Sequence, residues 1–286
     1  MTTYLVTGAS GHLGRLAVQA LLERGVTASD VVATARDLDA IADLAALGVE
    51  TRAADYTDPA SLEQALKGVD RVLLVSSSAV GERVPQHANV IEAAKAAGVE
   101  LLAYTSITRA DSSTLALAEE HRATEELLAA SGLPVALLRN SWYLENYTGQ
   151  VATALEHGAV LGAAGEGRVS AATRADFAAA AAAVLVADDQ AGRVYELGGD
   201  TAFTLGEYAA ALAAESGTEV VYRDLPAEDL TAVLTGAGLP EPYAAILTDS
   251  DLGLARGELQ ADTGDLSRLI GRPTTTPAEA IRAALA

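Results

Sequence analysis

Near its start this chain carries a glycine pattern, Gly8-Ala9-Ser10-Gly11-His12-Leu13-Gly14, directly after an apolar run at residues 4–7 and just before an Ala/Leu-rich stretch at 12–23. Few folds use that order. Gly8 permits a tight turn, Gly11 lets the backbone approach a pyrophosphate, and Gly14 allows a helix to pack closely on a strand. The N-terminus of the following helix offers free N–H groups and the positive end of its dipole to phosphates. The spacing is weak evidence alone and strong evidence in the first βα turn of a βαβ series.

A βαβ series is present. Strand-like runs at 31–35, 50–53, 71–76, 101–105 and 135–139 alternate with helical patterns at 89–97 and 115–130. Asp58-Pro59 reads as an N-cap followed by proline at the first helical position. The run Val72-Leu73-Leu74-Val75 is continuous, as a strand covered on both faces requires. This predicts an α/β protein with a doubly wound, Rossmann-type parallel sheet. Beyond Asn140 the rhythm changes. A helical stretch and a Gly/Ala-rich loop fill 146–167, an alanine-dense helix spans 175–187, and one more sheet strand falls at 193–197. From Thr204 the chain is mainly helical, with one short strand at 219–222 and capping boxes at Thr204/Glu207 and Thr276/Glu279. The predicted division is therefore a dinucleotide-binding domain, residues 1–145 with 168–197, and a smaller lobe, 146–167 with 198–286.

Composition removes several alternatives. With no cysteine among 286 residues, disulfide scaffolds, thiolate zinc sites, iron–sulfur clusters and cysteine nucleophiles are excluded. A formal net charge of −20 argues against a surface for nucleic acid or anionic membrane. The longest run without a charged residue, 1–14, is too short to span a bilayer and lacks the form of a signal peptide. The expectation is a cytoplasmic protein, monomer or homodimer, acting on a small molecule.

The end of the second strand bears on the cofactor. Many NAD-binding units place an acid about 20 residues after the glycines to hold the ribose 2′-hydroxyl. Arg36 stands there instead, and Arg15 follows the glycines, so two guanidiniums are available to a 2′-phosphate. Asp37 pulls the other way, but the balance favours NADPH. Asp55, after the third strand, is either a partner of the adenine or an exposed loop carboxylate. Ser76, Ser77 and Ser78 end the fourth strand, where ligands sit in an open α/β sheet.

The chemistry is constrained by an absence. Short-chain dehydrogenases use a Tyr-x-x-x-Lys pair as acid, but the only lysines are Lys67 and Lys95, preceded four residues earlier by Glu63 and Ile91. Either the acceptor needs little acid catalysis or the chain catalyses nothing. A quinone satisfies the first condition, because hydride addition yields a stabilised hydroquinone anion. The segment Arg139–Tyr147 contains the only Trp and two tyrosines, a composition suited to stacking a planar ring. Tyr143, Tyr147 and His121 are the candidate catalytic residues, with His121 equally readable as an ordinary helix histidine. Arg174 is either a cofactor contact or a bridge between lobes. No histidine cluster suggests a metal.

Taken together these segments resemble the NmrA-like atypical short-chain dehydrogenases, most closely the bacterial type 2 NADPH:quinone oxidoreductases. The resemblance runs through nearly the whole chain. It is carried most specifically by Asn140-Ser141-Trp142-Tyr143-Leu144-Glu145-Asn146-Tyr147 and by Ala172-Thr173-Arg174-Ala175-Asp176. It implies NADPH-dependent two-electron reduction of quinones to hydroquinones without flavin or metal. It also implies cofactor contacts from Gly8, Ala9, Ser10, Gly11, His12, Leu13 and Gly14, from Arg36, from Ser76–Ser78 and from Arg174. Asn140, Ser141, Trp142, Tyr143, Leu144 and Glu145 would flank the place where cofactor and substrate meet, with Ser141 standing where the resemblance implies glycine. A second reading, a non-catalytic NADP(H)-binding redox sensor, accounts equally for the missing Tyr-Lys pair. Reduction of another activated double bond, of isoflavonoid or phenylpropanoid type, is a third.

Overall fold

The computed structural model describes residues 1–286. Its strands are β1 (Tyr4–Val6), β2 (Val31–Ala35), β3 (Glu50–Ala53), β4 (Arg71–Leu74), β5 (Leu101–Ile107), β6 (Val135–Asn140), β7 (Ala159–Gly162), β8 (Val194–Leu197) and β9 (Val221–Asp224). β2 and β5 are buried along their whole length, as strands covered on both faces must be. Seven strands form one sheet in the order β3-β2-β1-β4-β5-β6-β8, and every pairing is parallel. The order reverses between β1 and β4, which opens a crevice at the carboxyl ends of those strands.

Helices cover both faces. His12–Glu23, Arg174–Val186 and Asp265–Ile270 bury Leu13, Ala17, Phe177, Ala181 and Leu266 on one side. Pro59–Ala65, Arg83–Ala97 and Ala116–Ser131 bury Leu62, Val90, Ala94 and Leu128 on the other. Asp58 caps its helix as the sequence implies, accepting the Ala60 N–H. Arg83–Ala97 begins six residues ahead of the predicted start. Pro85 falls within its first turn, where the missing N–H has no intrahelical partner to lose.

The remaining helices gather around a third core. Leu205, Tyr208, Leu212, Leu254 and Ile281 meet there beneath the short parallel pair β7–β9. β7 is not foreseen from the sequence, because its last residue belongs to a Gly/Ala-rich run that reads as loop. A Cβ at Gly162 would come within 2.7 Å of Leu205 Cδ1 and 2.8 Å of Asp251 Oδ2, so any larger residue there would have to displace both side chains. Both predicted capping boxes are present. The helix Asp265–Ile270, expected in the smaller lobe, packs instead against Arg174–Val186 and β8.

The alanine-dense helix Arg174–Val186 is fixed at both ends. At its start the fully buried Asp176 carboxylate accepts from Thr173 Oγ1 (2.9 Å) and the Thr275 N–H (2.9 Å), and pairs with Arg272 (2.7 Å). At its far end the Arg71 guanidinium donates to the Leu185 and Ala187 carbonyls at 2.7 and 2.8 Å.

Candidate active site

The glycine turn is held by its own backbone. Gly8 adopts φ +60°, the Ala9 N–H donates to Thr34 O at 2.8 Å, and Gly11 N–H donates to Gly8 O at 2.9 Å. A Cβ on Gly14 would lie 2.5 Å from Gly8 O, so the turn and the helix His12–Glu23 touch only because Gly14 has no side chain. No side chain caps that helix, which leaves its first-turn N–H groups available. Thr7 stiffens the turn by donating to Leu73 O and accepting from Val75 N–H at 2.9 Å. The Tyr56 hydroxyl lies between Thr7 Oγ1 and Val75 O.

A cleft of about 540 Å³ extends from this turn over the carboxyl ends of β1, β2 and β4. Gly8, Ser10, Gly11, His12, Leu13, Gly14, Arg36, Asp55 and all three serines line it. Ala9 is buried behind the turn and contributes backbone structure only. Arg36 is exposed on the rim, and its guanidinium has no hydrogen bond or ion pair within the chain. Arg15 is otherwise engaged: it pairs with Asp43 and donates to Ala40 O at 2.6 Å, so the expected second guanidinium for a 2′-phosphate is missing from the cleft. Asp37 accepts the Asp39 N–H in the turn after β2. Asp55 both lines the cleft and closes a local turn. Hydrogen bonds from Thr57 N–H and Oγ1, then the charge of Arg36, hold its carboxyl below the usual range.

The serine loop is braced from behind by the helix Arg83–Ala97 and by Thr105 of β5. Ser76 N–H donates to Thr105 Oγ1 at 2.8 Å, and Ser77 Oγ donates to Gln86 Oε1 at 2.6 Å. Arg83 Nε donates to Ser77 O at 2.6 Å. His87 Nε2 accepts the Ser77 N–H at 3.0 Å, so its proton is on Nδ1, which donates to Thr124 Oγ1 at 2.9 Å. Burial, then the charge of Arg83, pushes the His87 pKa down to about 3 and keeps this brace neutral.

A second cleft of about 340 Å³ shares Ser76–Ser78, Thr105, Tyr143 and Arg174 with the first. Asn140, Ser141, Trp142 and His121 line it from the sheet side. Tyr243, Ile246 and Leu247 of the helix Glu241–Ala255 close it from the smaller lobe. Tyr243 OH reaches Ser78 O at 3.4 Å. The segment 142–144 is fixed by strand-like pairing with Ala172, and Ser141 Oγ donates to Leu259 O at 2.7 Å. Arg174 stacks 4.4 Å over the Tyr143 ring and donates to Asn146 Oδ1 at 3.1 Å. Burial raises the Tyr143 pKa, partly offset by Asn140 and Arg174, so its phenol keeps its proton.

Besides Ala9, three predicted residues fall outside both clefts. Leu144 is fully buried in the third core, and Glu145 sits behind Arg174, accepting its backbone N–H at 2.8 Å. Tyr147 packs against Phe203 and Tyr208 with its hydroxyl buried, because the turn Glu145–Thr148 rotates it away from the Tyr143 side. It therefore lacks access to a substrate in either cleft. Sequence reading missed Tyr56, Gln86, Arg83 and Tyr243. Tyr56 directly follows Asp55 after the third strand, a position that could have marked it, but nothing local marks Tyr243, which is 100 residues from Tyr143.

A dinucleotide fits what is present. The glycine turn leaves a cradle that a Cβ at Gly14 would disrupt, Arg36 is an unpaired cation at the rim, and Ser76 Oγ is a buried hydroxyl without a partner where the clefts join. A sheet with this order and this turn defines a nicotinamide-dinucleotide-binding protein of Rossmann type, and the chain belongs to the NAD(P)H-binding family, whose profile matches residues 8–188. Among individual proteins, it is 51% identical to quinone oxidoreductase 2 of Escherichia coli, over 96% of each chain. The crystal structure of an NADPH-dependent quinone oxidoreductase from that organism, complexed with NADPH, superposes with a TM-score of 0.96 at 50% identity, covering 99% of this chain and 100% of that one. A Citrobacter triphenylmethane reductase complexed with NADP(H) gives 0.94 at 36% identity over 99% of this chain and 100% of that one. The quinone-reductase resemblance read from the sequence is borne out. No group of three or more His, Asp or Glu is placed to hold a metal ion, and no helix is long and apolar enough to cross a membrane.

Proposed function

We propose that this chain reduces quinones to hydroquinones by two-electron transfer from NADPH. The observation that carries this reading is the junction of the two clefts: the glycine-loop cleft and an aromatic cleft meet along Ser76, Thr105, Tyr143 and Arg174. The 51% identity to a quinone oxidoreductase supports it. NADPH, when bound, supplies the hydride. The chain's own residues bind and orient. The N–H groups opening His12–Glu23 face the pyrophosphate, and Arg36 meets the 2′-phosphate. Tyr143, its ring fixed between Arg174 and Phe177, offers a protonated phenol at the junction. Trp142, Ile246 and Leu247 supply apolar walls for a planar ring.

On this reading residues 1–145 with 168–197 hold the cofactor, joined by the helix Asp265–Ile270, and the rest of the smaller lobe closes the acceptor side. The net charge of −20 sets the surface against polyanions, so the partner is the small acceptor. Steady-state NADPH oxidation with a simple benzoquinone tests the proposal. Quinone-dependent loss of NADPH well above the uncatalysed rate is expected. Tight NADPH binding with no turnover on any quinone would instead identify a dinucleotide-responsive regulator.

A further inference from the structure

Reducing a quinone places negative charge on an oxygen, and this chain has no Tyr-x-x-x-Lys acid to meet it. His121 lines the acceptor cleft from the helix Ala116–Ser131. Its Nδ1 lies 2.8 Å from the hydroxyl of Tyr104, a fully buried residue of β5. The Ser76 and Thr124 hydroxyls also lie near that phenol, but Thr124 Oγ1 is engaged by His87 Nδ1 and Glu120 O, and His121 Nδ1 is the partner with full hydrogen-bond geometry, so the phenol donates to it. Nδ1 is then an acceptor, and the single proton of a neutral imidazole resides on Nε2. Nε2 has no partner within the protein, yet it is not among the buried polar atoms left unsatisfied; it is the ring atom exposed to the cleft.

We propose that His121, held by Tyr104 in the tautomer protonated at Nε2, donates a hydrogen bond to the quinone oxygen on which charge develops. This rests on the quinone-reductase reading. The imidazole moves no proton: the quinone takes a hydride, becomes the hydroquinone monoanion, and a solvent proton completes the hydroquinone. His121 is thus a catalytic residue acting as a neutral donor, and Tyr104 is the positioning residue that decides which nitrogen carries the hydrogen. Burial, then the charge of Arg83, holds the His121 pKa well below its ordinary value, so one defined N–H persists across the neutral range. His87, 5.4 Å from the Tyr104 ring, shows the contrasting state: its Nε2 accepts from the serine loop and its proton sits on Nδ1. Two neighbouring histidines are thereby fixed as opposite tautomers, one bracing the loop and one facing the acceptor.

The experiment combines kinetics with histidine ¹⁵N spectroscopy. Wild-type protein should show the Nε2–H tautomer for His121 in long-range ¹H–¹⁵N spectra at neutral pH, and Tyr104→Phe, which keeps the ring but removes the phenol, should give a mixture. His121→Phe should lower kcat with a benzoquinone about 10- to 100-fold, with the NADPH dissociation constant unchanged within about twofold. His121→Gln, whose amide reaches a similar position, should recover part of that loss. A proton found on Nδ1 in the wild type, or an unchanged kcat in His121→Phe, would overturn the assignment while leaving quinone reduction intact. Failure of the wild type to turn over would remove both.

Discussion

The two clefts share one wall and are made of different material. The dinucleotide cleft is mostly backbone: the turn from Gly8 to Gly14, the open helix end and the serine loop, all at the carboxyl ends of adjacent strands. The acceptor cleft is mostly side chains, brought from Asn140–Tyr143, from His121 and from the helix Glu241–Ala255. Backbone geometry of the first kind tolerates almost no change, since a single Cβ at Gly14 would meet Gly8 O at 2.5 Å. A wall of the second kind can be rebuilt one side chain at a time with the fold intact. The comparison locates cofactor recognition in the architecture and acceptor choice in its decoration.

Substitutions that separate the two clefts put this contrast at risk. The largest effect belongs to Arg36. Its guanidinium is unpaired at the rim, and a charge-assisted hydrogen bond to phosphate is the strong kind. Arg36→Ala should weaken NADPH binding by roughly 10- to 150-fold at moderate salt while changing NADH far less. Equal losses for both, by fluorescence titration, would mean the arginine supports the fold rather than the phosphate. A smaller effect, confined to the other cleft, is expected of Tyr143→Phe: kcat with benzoquinone falls about 3- to 10-fold, the worth of one hydrogen bond. The NADPH dissociation constant should stay put, and a parallel change in it would show that the wall between the clefts is not divisible. The smallest is Arg15→Ala. Because Asp43 and Ala40 O already hold this guanidinium, NADPH affinity should move less than about twofold. A loss rivalling that of Arg36→Ala would mean that Arg15 abandons Asp43 when the cofactor arrives.

Legibility in the sequence divides along the same line. The parallel sheet, the glycine turn and both capping boxes are legible because each depends on neighbours in sequence: a short apolar run, a glycine at a fixed offset, a Thr three residues before a Glu. The pairing of Arg15 with Asp43 is not, since both are ordinary charges until helix and turn come together. Tyr147 illustrates a subtler limit. It belongs to the same aromatic segment as Tyr143, but four residues of turn and helix carry it around to the third core. β7 stays hidden because only Val160 and Leu161 of its four residues read as strand, and they run directly into a Gly/Ala-rich stretch. The acceptor wall from Tyr243 to Leu247 lies a hundred residues from its opposite face, and no local pattern encodes that meeting.

The alanine-dense helix Arg174–Val186 also governs how well the junction is aligned. Between Phe177 near its start and Val184 and Leu185 near its end, its buried surface is a run of alanine methyls, which lets that middle lie close against its neighbours but gives it little to mesh with. Such a middle resists sliding only weakly, so the ends must fix it. Here the stops are at the ends, Asp176 gripped by Thr275 and Arg272, and the last carbonyls gripped by Arg71. A slip of one residue would carry Arg174 about 1.5 Å along the axis, shifting its guanidinium off its present place over the Tyr143 ring. The alignment of the junction is therefore set at a distance from it, by the tail of the chain at one end of the rod and an arginine of β4 at the other.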